Sequence, residues 1–298
     1  MLAIDWGTSS LRVYRLDANG AVRDARSSDD GVLSVKDAAF AATLERVARV
    51  WLADEKPIVM GGMIGSRQGW AEAAYVPCPA GLPEIASAMA VVKWTSGDNE
   101  ELNAWIAPGL SCVDEAGIAD VMRGEEVQIL GVLDHLGKGD HVVCLPGTHS
   151  KWARIRDDRI VSFGTYMTGE VFAVLKQHSI LGRTMSTDEL DEAAYVAGVS
   201  RAADSGGLLH HLFGVRAQLI AGKIAETQSA SYLSGIVIGH ELRAAASDVE
   251  RFHLVGDAEL TALYSLAATK MNKSSIVHEA GAAPRGLFAL AQHVRDDL

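Results

Sequence analysis

Leu2-Ala3-Ile4-Asp5-Trp6-Gly7-Thr8-Ser9-Ser10-Leu11-Arg12-Val13-Tyr14 reads as an apolar strand, a small polar turn and a second strand. The form returns 140 residues later in Val142-Val143-Cys144-Leu145-Pro146-Gly147-Thr148-His149-Ser150-Lys151-Trp152-Ala153-Arg154-Ile155. Both turns carry Gly-Thr-x-Ser. Asp17-Ala18-Asn19-Gly20 and Asp157-Asp158-Arg159 then turn each chain into a third strand, at Val22 and at Ile160. A repeat of this length predicts two similar lobes, each offering a donor-rich hairpin to a shared cleft. Such a pair suits the phosphates of a nucleotide.

Working outward, Phe40, Leu44, Val47, Ala48 and Trp51 recur at helical spacing and predict a helix over 37–53. Strand Pro57-Ile58-Val59-Met60 runs into Gly61-Gly62-Met63-Ile64-Gly65-Ser66-Arg67-Gln68-Gly69-Trp70, a glycine-rich loop at a strand end. The proline-broken Tyr75–Ala80 is extended, a helix follows from Leu82 to about Ala90, and 93–118 are strand and loop. A helical pattern returns over 120–134. Further helices are expected at 170–181, 188–203, 207–223, 239–246 and 258–270, with a last one from Ala282. Strands at 251–255 and 276–278 separate the later ones. Alternation of strands and helices indicates an α/β class with mixed sheets flanked by helices. The lobe boundary is placed at 122/123, giving lobes 1–122 and 123–298.

The chain has 298 residues, 48% of them apolar, enough for two cores. Its net charge of −11 argues against nucleic acid or an anionic membrane as the main partner. A local arginine still suffices to capture a small anion. Three cysteines without a Cys-x-x-Cys pair read as reduced thiols. The first strand begins at Leu2 with no leader pattern, and the apolar run 232–239 is too short for a bilayer. The expectation is a cytoplasmic protein; whether it forms a homo-oligomer stays open.

In the first hairpin Gly7 allows close approach of backbone amides to a phosphate, while Thr8, Ser9 and Ser10 add hydroxyls and Arg12 a cation. Asp5 ends its strand as a carboxylate suited to phosphate-bound Mg²⁺. A hairpin satisfying its own backbone is the plain alternative, and the second copy tips the balance. That copy has Leu145-Pro146 before its glycine and no acid, so Gly147, Thr148 and Ser150 would hold phosphate alone.

Phosphoryl transfer to an alcohol needs a carboxylate near the attacking hydroxyl. Arg123-Gly124-Glu125-Glu126 places two at a helix start, where acids also serve the macrodipole. Arg67, with Gln68 and Trp70, is set to fork onto a carboxylate, against the alternative of a surface arginine or an ion pair. Tyr75 and Arg123 are pocket or packing residues. Val255-Gly256-Asp257-Ala258 either seats an adenosine or simply reverses the chain.

Two phosphate hairpins and a strand–glycine–helix turn resemble the actin / hexokinase / heat-shock ATPase superfamily. Met122–Gly131 looks like the Gly-Asp-Gln segment of the FGGY carbohydrate kinases, with Glu125 in the aspartate's place. The blocks Ile4–Arg12, Gly62–Trp70, Tyr75–Ala80, Asp120–Glu126, Cys144–Trp152 and Met167–Glu170 are similar to the signatures of the 2-dehydro-3-deoxygalactonokinase family. The resemblance implies a two-lobed actin-like ATPase fold of ribonuclease H-like type, with the active site in the cleft between lobes. It implies transfer of the ATP γ-phosphoryl group to the 6-hydroxyl of 2-dehydro-3-deoxy-D-galactonate, in galactonate breakdown.

By matching position Glu125 is the general base, with Glu126 second, and Arg12 stands on the transferring phosphates. Asp5 organises Mg²⁺; Gly7, Thr8, Ser9, Gly147, Thr148 and Ser150 hold ATP phosphates. Gly256 and Asp257 border the adenosine, and Arg67, Gln68, Trp70, Tyr75 and Arg123 contact the sugar acid. The competing readings are a kinase for another deoxy-keto sugar acid and a non-catalytic, nucleotide-gated sugar sensor on the same fold.

Overall fold

A run of apolar residues too short for a helix, Leu2–Trp6, forms β1 and is buried on both faces apart from Asp5. β2 (Leu11–Leu16) alternates buried and exposed positions, and β3 (Val22–Ser28) lies largely exposed at the edge. β1 and β2 pair antiparallel, with Asp5 opposite Arg12 and Trp6 opposite Leu11. The computed structural model describes residues 1–187 and 189–294.

Helix α1 (Phe40–Leu52) crosses over to β4 (Ile58–Gly61), which lies parallel beside β1. β5 (Tyr75–Pro77), α2 (Leu82–Ser87), β6 (Ala90–Thr95), β7 (Glu101–Ile106), β8 (Gly109–Val113) and β9 (Ala119–Met122) follow. Next come α3 (Glu125–Leu130), α4 (Leu133–Leu136), β10 (Asp140–Leu145), β11 (Ser150–Arg156), β12 (Arg159–Tyr166) and α5 (Thr168–His178). The chain closes with α6 (Glu192–Arg201), α7 (Gly207–Ile220), α8 (Glu226–Ala245), β13 (Arg251–Leu254), α9 (Ala258–Lys270), β14 (Ser274–Val277) and α10 (Ala282–Ala291).

The sheets carry the repeat further than the tetrapeptide does. One has the order β3-β2-β1-β4-β7-β6, an antiparallel meander extended by parallel β4 and β7 and ended by antiparallel β6. Another has the order β12-β11-β10-β13-β14, in which β10, β13 and β14 run parallel. A small third sheet, β5-β8-β9, carries residues 75–77 and 119–122.

The chain forms two compact units, one of residues 1–141, 154–163 and 281–298, the other of 142–153 and 164–280. The 122/123 boundary expected from sequence falls within the first unit. In that unit Ile4, Trp6, Val13, Phe40, Leu44, Ile58, Met60 and Ile64 build the core. In the second, Cys144, Trp152, Tyr195, Leu233, Ile236, Phe252 and Tyr264 do so.

Two expectations are corrected. The helix read over 120–134 begins only at Glu125, because 119–122 pair with β8 as a strand and Gly124 turns the chain at φ 104°. The helix read from Gly239 starts at Glu226 and runs through two glycines. Both glycines have a packing reason. A Cβ on Gly235 would lie 2.0 Å from the Tyr195 carbonyl oxygen, and one on Gly239 2.9 Å from the Ala202 Cβ. Helices α6 and α8 therefore cross at backbone contact. Asp188, expected to start α6, lies outside the described residues. No described helix is long and apolar enough to cross a membrane.

Candidate active site

The first hairpin is held from below. The amides of Val32 and Leu33 donate to the carbonyls of Gly7 and Thr8 at 3.0 and 3.3 Å. Gly31 presses so closely that a Cβ there would sit 2.2 Å from the Thr8 carbonyl oxygen. With those carbonyls engaged, Thr8 and Ser9 lie exposed at the tip, and among the described residues their amides donate to no protein acceptor. Arg12 Nη1 is 3.5 Å from Asp5 Oδ2. Burial raises the Asp5 carboxyl above its ordinary range, and Arg12 offsets part of that rise.

The second hairpin uses the same device. The amide of Glu170, in the first turn of α5, donates to the Thr148 carbonyl at 3.0 Å. A Cβ on Gly169 would fall 2.5 Å from the Gly147 carbonyl oxygen. Gly147 itself would meet no protein atom within 4 Å on gaining a Cβ, so protein packing does not require glycine there. Thr148 and His149 are exposed, and His149 Nε2 meets Glu170 Oε2. Ser150 departs from expectation, since it is wholly buried and its Oγ meets the Tyr264 hydroxyl at 2.9 Å. Its hydroxyl faces the interior rather than the loop.

Behind Ser150 lies a carboxylate that the sequence reading passed over. Glu241 accepts from the Trp152 indole at 2.7 Å and from the Tyr264 hydroxyl at 2.6 Å. Burial raises its carboxyl's proton affinity, opposed by those bonds and by Thr168 and Ser150. It ties β11 to α9. An acid two residues beyond an apolar run, Ile236–Gly239, with His240 between, was the signal available.

A cavity of about 940 Å³ opens within the second unit, lined by Gly147, Thr168 and Gly169 beside the hairpin. Phe172, Ser234, Glu259, Leu260 and Tyr264 line it further on. The Gly256-Asp257 turn contributes differently from expectation. Asp257 Oδ1 caps α9, accepting from the amides of Glu259 and Leu260 at 2.9 and 3.3 Å. Gly256, at φ 149°, lines a separate cavity of about 490 Å³ with His278 and Glu279.

In the first unit, Asp5, the glycine-rich loop and the start of α3 meet around Gly62. A Cβ on Gly62 (φ 92°) would sit 3.5 Å from Asp5 Oδ1, and one on Gly124 3.2 Å from the Gly62 Cα. Glycine is required at 62 by its positive φ and by the Trp6 carbonyl oxygen, 2.8 Å from where a Cβ would sit. Helix α10 fixes α3 from behind, since Cβ atoms on Gly131 or Gly286 would each lie 1.9 Å from a carbonyl oxygen of the other helix. Glu125 is half-buried, and its Oε2 accepts from the Arg123 amide at 3.0 Å. Glu126 is fully buried; its Oε2 accepts from the Gly124 amide at 2.7 Å and its Oε1 has no partner. Burial first, and Glu125 second, push the Glu126 carboxyl up to about 8.

The expected sugar-acid residues divide. Arg67 is 87% exposed and pairs with Glu72 at 3.0 Å, and Gln68 is exposed beside it. Trp70 packs into the core, 6.4 Å from the Phe40 ring and 4.9 Å from that of Trp94. Tyr75 and Arg123 come together, the guanidinium 4.3 Å over the ring.

The chain is similar in sequence and fold to known proteins. The sequence profile of the 2-keto-3-deoxy-galactonokinase family matches residues 5–290. The provisionally named 2-dehydro-3-deoxygalactonokinase DgoK1 of Rhizobium meliloti (strain 1021) is 38% identical, over 98% of this chain and 96% of its own. The 2-dehydro-3-deoxygalactonokinase of Escherichia coli (strain K12) is 35% identical over 91% and 89%. A crystal structure of a protein from Sinorhizobium meliloti, provisionally given the same name, superposes with a TM-score of 0.89 over 98% of both chains, at 38% identity. The activator of 2-hydroxyisocaproyl-CoA dehydratase from Clostridium difficile, solved with bound ADPNP, shares the fold alone, with a TM-score of 0.52 and 11% identity over 98% and 95%. The architecture is that of the actin-like ATPases and sugar kinases, and the chain belongs to the 2-keto-3-deoxy-galactonokinase family.

Proposed function

We propose that this chain is an ATP-dependent kinase that phosphorylates the 6-hydroxyl of 2-keto-3-deoxygalactonate, giving the 6-phosphate and ADP. Membership of the family across residues 5–290 supports the reaction class. The observation that carries the chemistry is the half-buried Glu125 carboxylate, held by the Arg123 amide at the start of α3.

The hydroxyl oxygen attacks the γ-phosphorus, its proton passes to Glu125, and the bond from that phosphorus to the β,γ-bridging oxygen breaks to release ADP. Glu126 is the weaker candidate base. Its carboxyl is fully buried and, pushed up to about 8, holds its proton at neutral pH. In the first unit Thr8-Ser9 offer amides and hydroxyls to phosphate oxygens, with Arg12 as a neighbouring cation, and in the second unit Gly147-Thr148 offer the same groups. The adenosine occupies the 940 Å³ cavity that begins at Gly147.

Asp5 fits a phosphate-bound Mg²⁺ as one carboxylate at a strand end beside the hairpin. Among the described residues no group of three or more His, Cys, Asp or Glu could cage an ion without the nucleotide. When bound, Mg²⁺ would neutralise phosphate charge. The test is ADP release from the purified protein with ATP and 2-keto-3-deoxygalactonate, its gluconate-derived epimer and neutral hexoses, with ³¹P NMR to place the product phosphate. Absence of turnover with every keto acid, or faster turnover of neutral sugars, would overturn the reading.

A further inference from the structure

Arg123 is a buried cation with unmet valence. Its exposure is 9%, and its Nη2 donates to the Ala73 carbonyl at 2.7 Å. Nε and Nη1 have no hydrogen-bond partner. Among the described residues no carboxylate forms an ion pair with it; Glu126 lies near enough to feel its charge but accepts from Gly124 instead. The ring of Tyr75 backs one face of the guanidinium at 4.3 Å. A purely structural staple would complete its bonds, because a buried charge without a counter-charge is among the costlier features a fold can carry. Arg67, the other candidate, is solvated and already paired with Glu72, so it contributes little field to any ligand.

We infer that Arg123, and not Arg67, is the specificity-determining cation that reads the carboxylate of the sugar acid. The inference rests on the kinase reading above and deepens it. An anionic substrate supplies the counter-charge that the protein withholds, whereas a neutral sugar leaves Arg123 uncompensated. Gly65 belongs to the same device, since a Cβ there would lie 2.9 Å from Arg123 Nη1 and 2.9 Å from Ile106 Cγ2. That position is kept bare so that the guanidinium can stay in place.

The experiment compares KM and kcat for 2-keto-3-deoxygalactonate and for the 3-deoxy-hexulose with CH₂OH in place of the carboxylate. The proteins are wild type, Arg123→Met, Arg123→Lys, Gly65→Ala and Arg67→Ala, each checked by melting temperature and ATP KM. The expected result is a wild-type preference for the acid on the order of 10² to 10³-fold in KM, abolished in Arg123→Met and partly kept in Arg123→Lys. ATP KM stays constant, and Arg67→Ala shifts the preference less than about threefold. Should Arg123→Met fail to fold, Gly65→Ala reads the same displacement with the arginine present, and is expected to weaken the preference. Preference retained in the folded Arg123→Met or in Gly65→Ala, or lost in Arg67→Ala, overturns the assignment. If the wild type turns over neither compound, the kinase reading itself fails and takes this assignment with it.

Discussion

The amide of Arg123 holds Glu125 Oε2 at 3.0 Å, and the next amide along the chain, that of Gly124, holds Glu126 Oε2 at 2.7 Å. Two successive amides thus clamp two successive carboxylates, each two residues ahead. The positive φ of Gly124 sits between the two rungs. Local bonding is nearly the same for both acids, yet burial separates them, half-buried for Glu125 and complete for Glu126. Environment rather than residue type assigns their chemistry.

Glu125→Gln removes the proton acceptor and keeps the shape. The expected loss in kcat is roughly 10² to 10⁴-fold, with ATP affinity nearly unchanged, measured by coupled ADP release and nucleotide titration. A kcat within threefold of wild type would move the base elsewhere.

Glu126→Gln should behave in the opposite way, as the neutral isostere of an acid already protonated at pH 7. Its folded-state pKa, about 8, lies above the ordinary 4.5. The stabilising effect of the protonated form is therefore fully present below pH 4.5 and is lost as pH rises through 8. Urea midpoints should show a fall in wild-type stability between pH 5 and pH 8 that Glu126→Gln reduces. Equal slopes in the two proteins would contradict the burial argument.

The two glycines at the second hairpin should separate folding from nucleotide binding. Gly169→Ala forces a methyl to 2.5 Å from the Gly147 carbonyl oxygen and should cost about 1–3 kcal/mol of stability. Gly147→Ala meets no protein atom, so its melting temperature should hold while ATP KM rises about tenfold or more. Thermal melts and ATP saturation curves on both variants check this pair.

Ser150→Ala and Asp257→Ala should act on stability, not on nucleotide binding. The first breaks the bond to Tyr264, the second uncaps α9, and each should cost about 1 kcal/mol. A tenfold rise in ATP KM without a change in melting temperature would restore them to the phosphate or adenosine site.

On the acid side, burial, His211 and Arg243 lower the pKa of His240 from the ordinary 6.5. His240 Nε2 and His211 Nδ1 share a 2.9 Å contact, and His211 Nε2 meets the Ser205 carbonyl at 3.0 Å. Neutral His240 is favoured by the fold, so stability should decline as pH falls below 6.5 toward the lowered value. Replacing His240 with Gln should flatten that limb of the stability–pH curve.

The sequence by itself determined the repeat, and with it the fold. Gly-Thr-x-Ser between apolar strands, twice, is a local pattern, and the two sheets reproduce it in the orders β3-β2-β1-β4 and β12-β11-β10-β13. It also placed Glu125 at a helix start and Asp5 at a strand end, because both positions follow from neighbours in the chain. It could not rank the arginines or the serines. Arg67 in a glycine-rich loop and Arg123 before a helix look equally available in one dimension. Only packing of the loop 62–73 and of Tyr75 buries one and leaves the other in water. Ser150 matches Ser10 in the tetrapeptide, but Tyr264 and Glu241, 114 and 91 residues away in sequence, draw its hydroxyl network inward. Patterns of hydrogen bonding and apolar period are written locally; burial, and every charge state that depends on it, is set by residues distant in the chain.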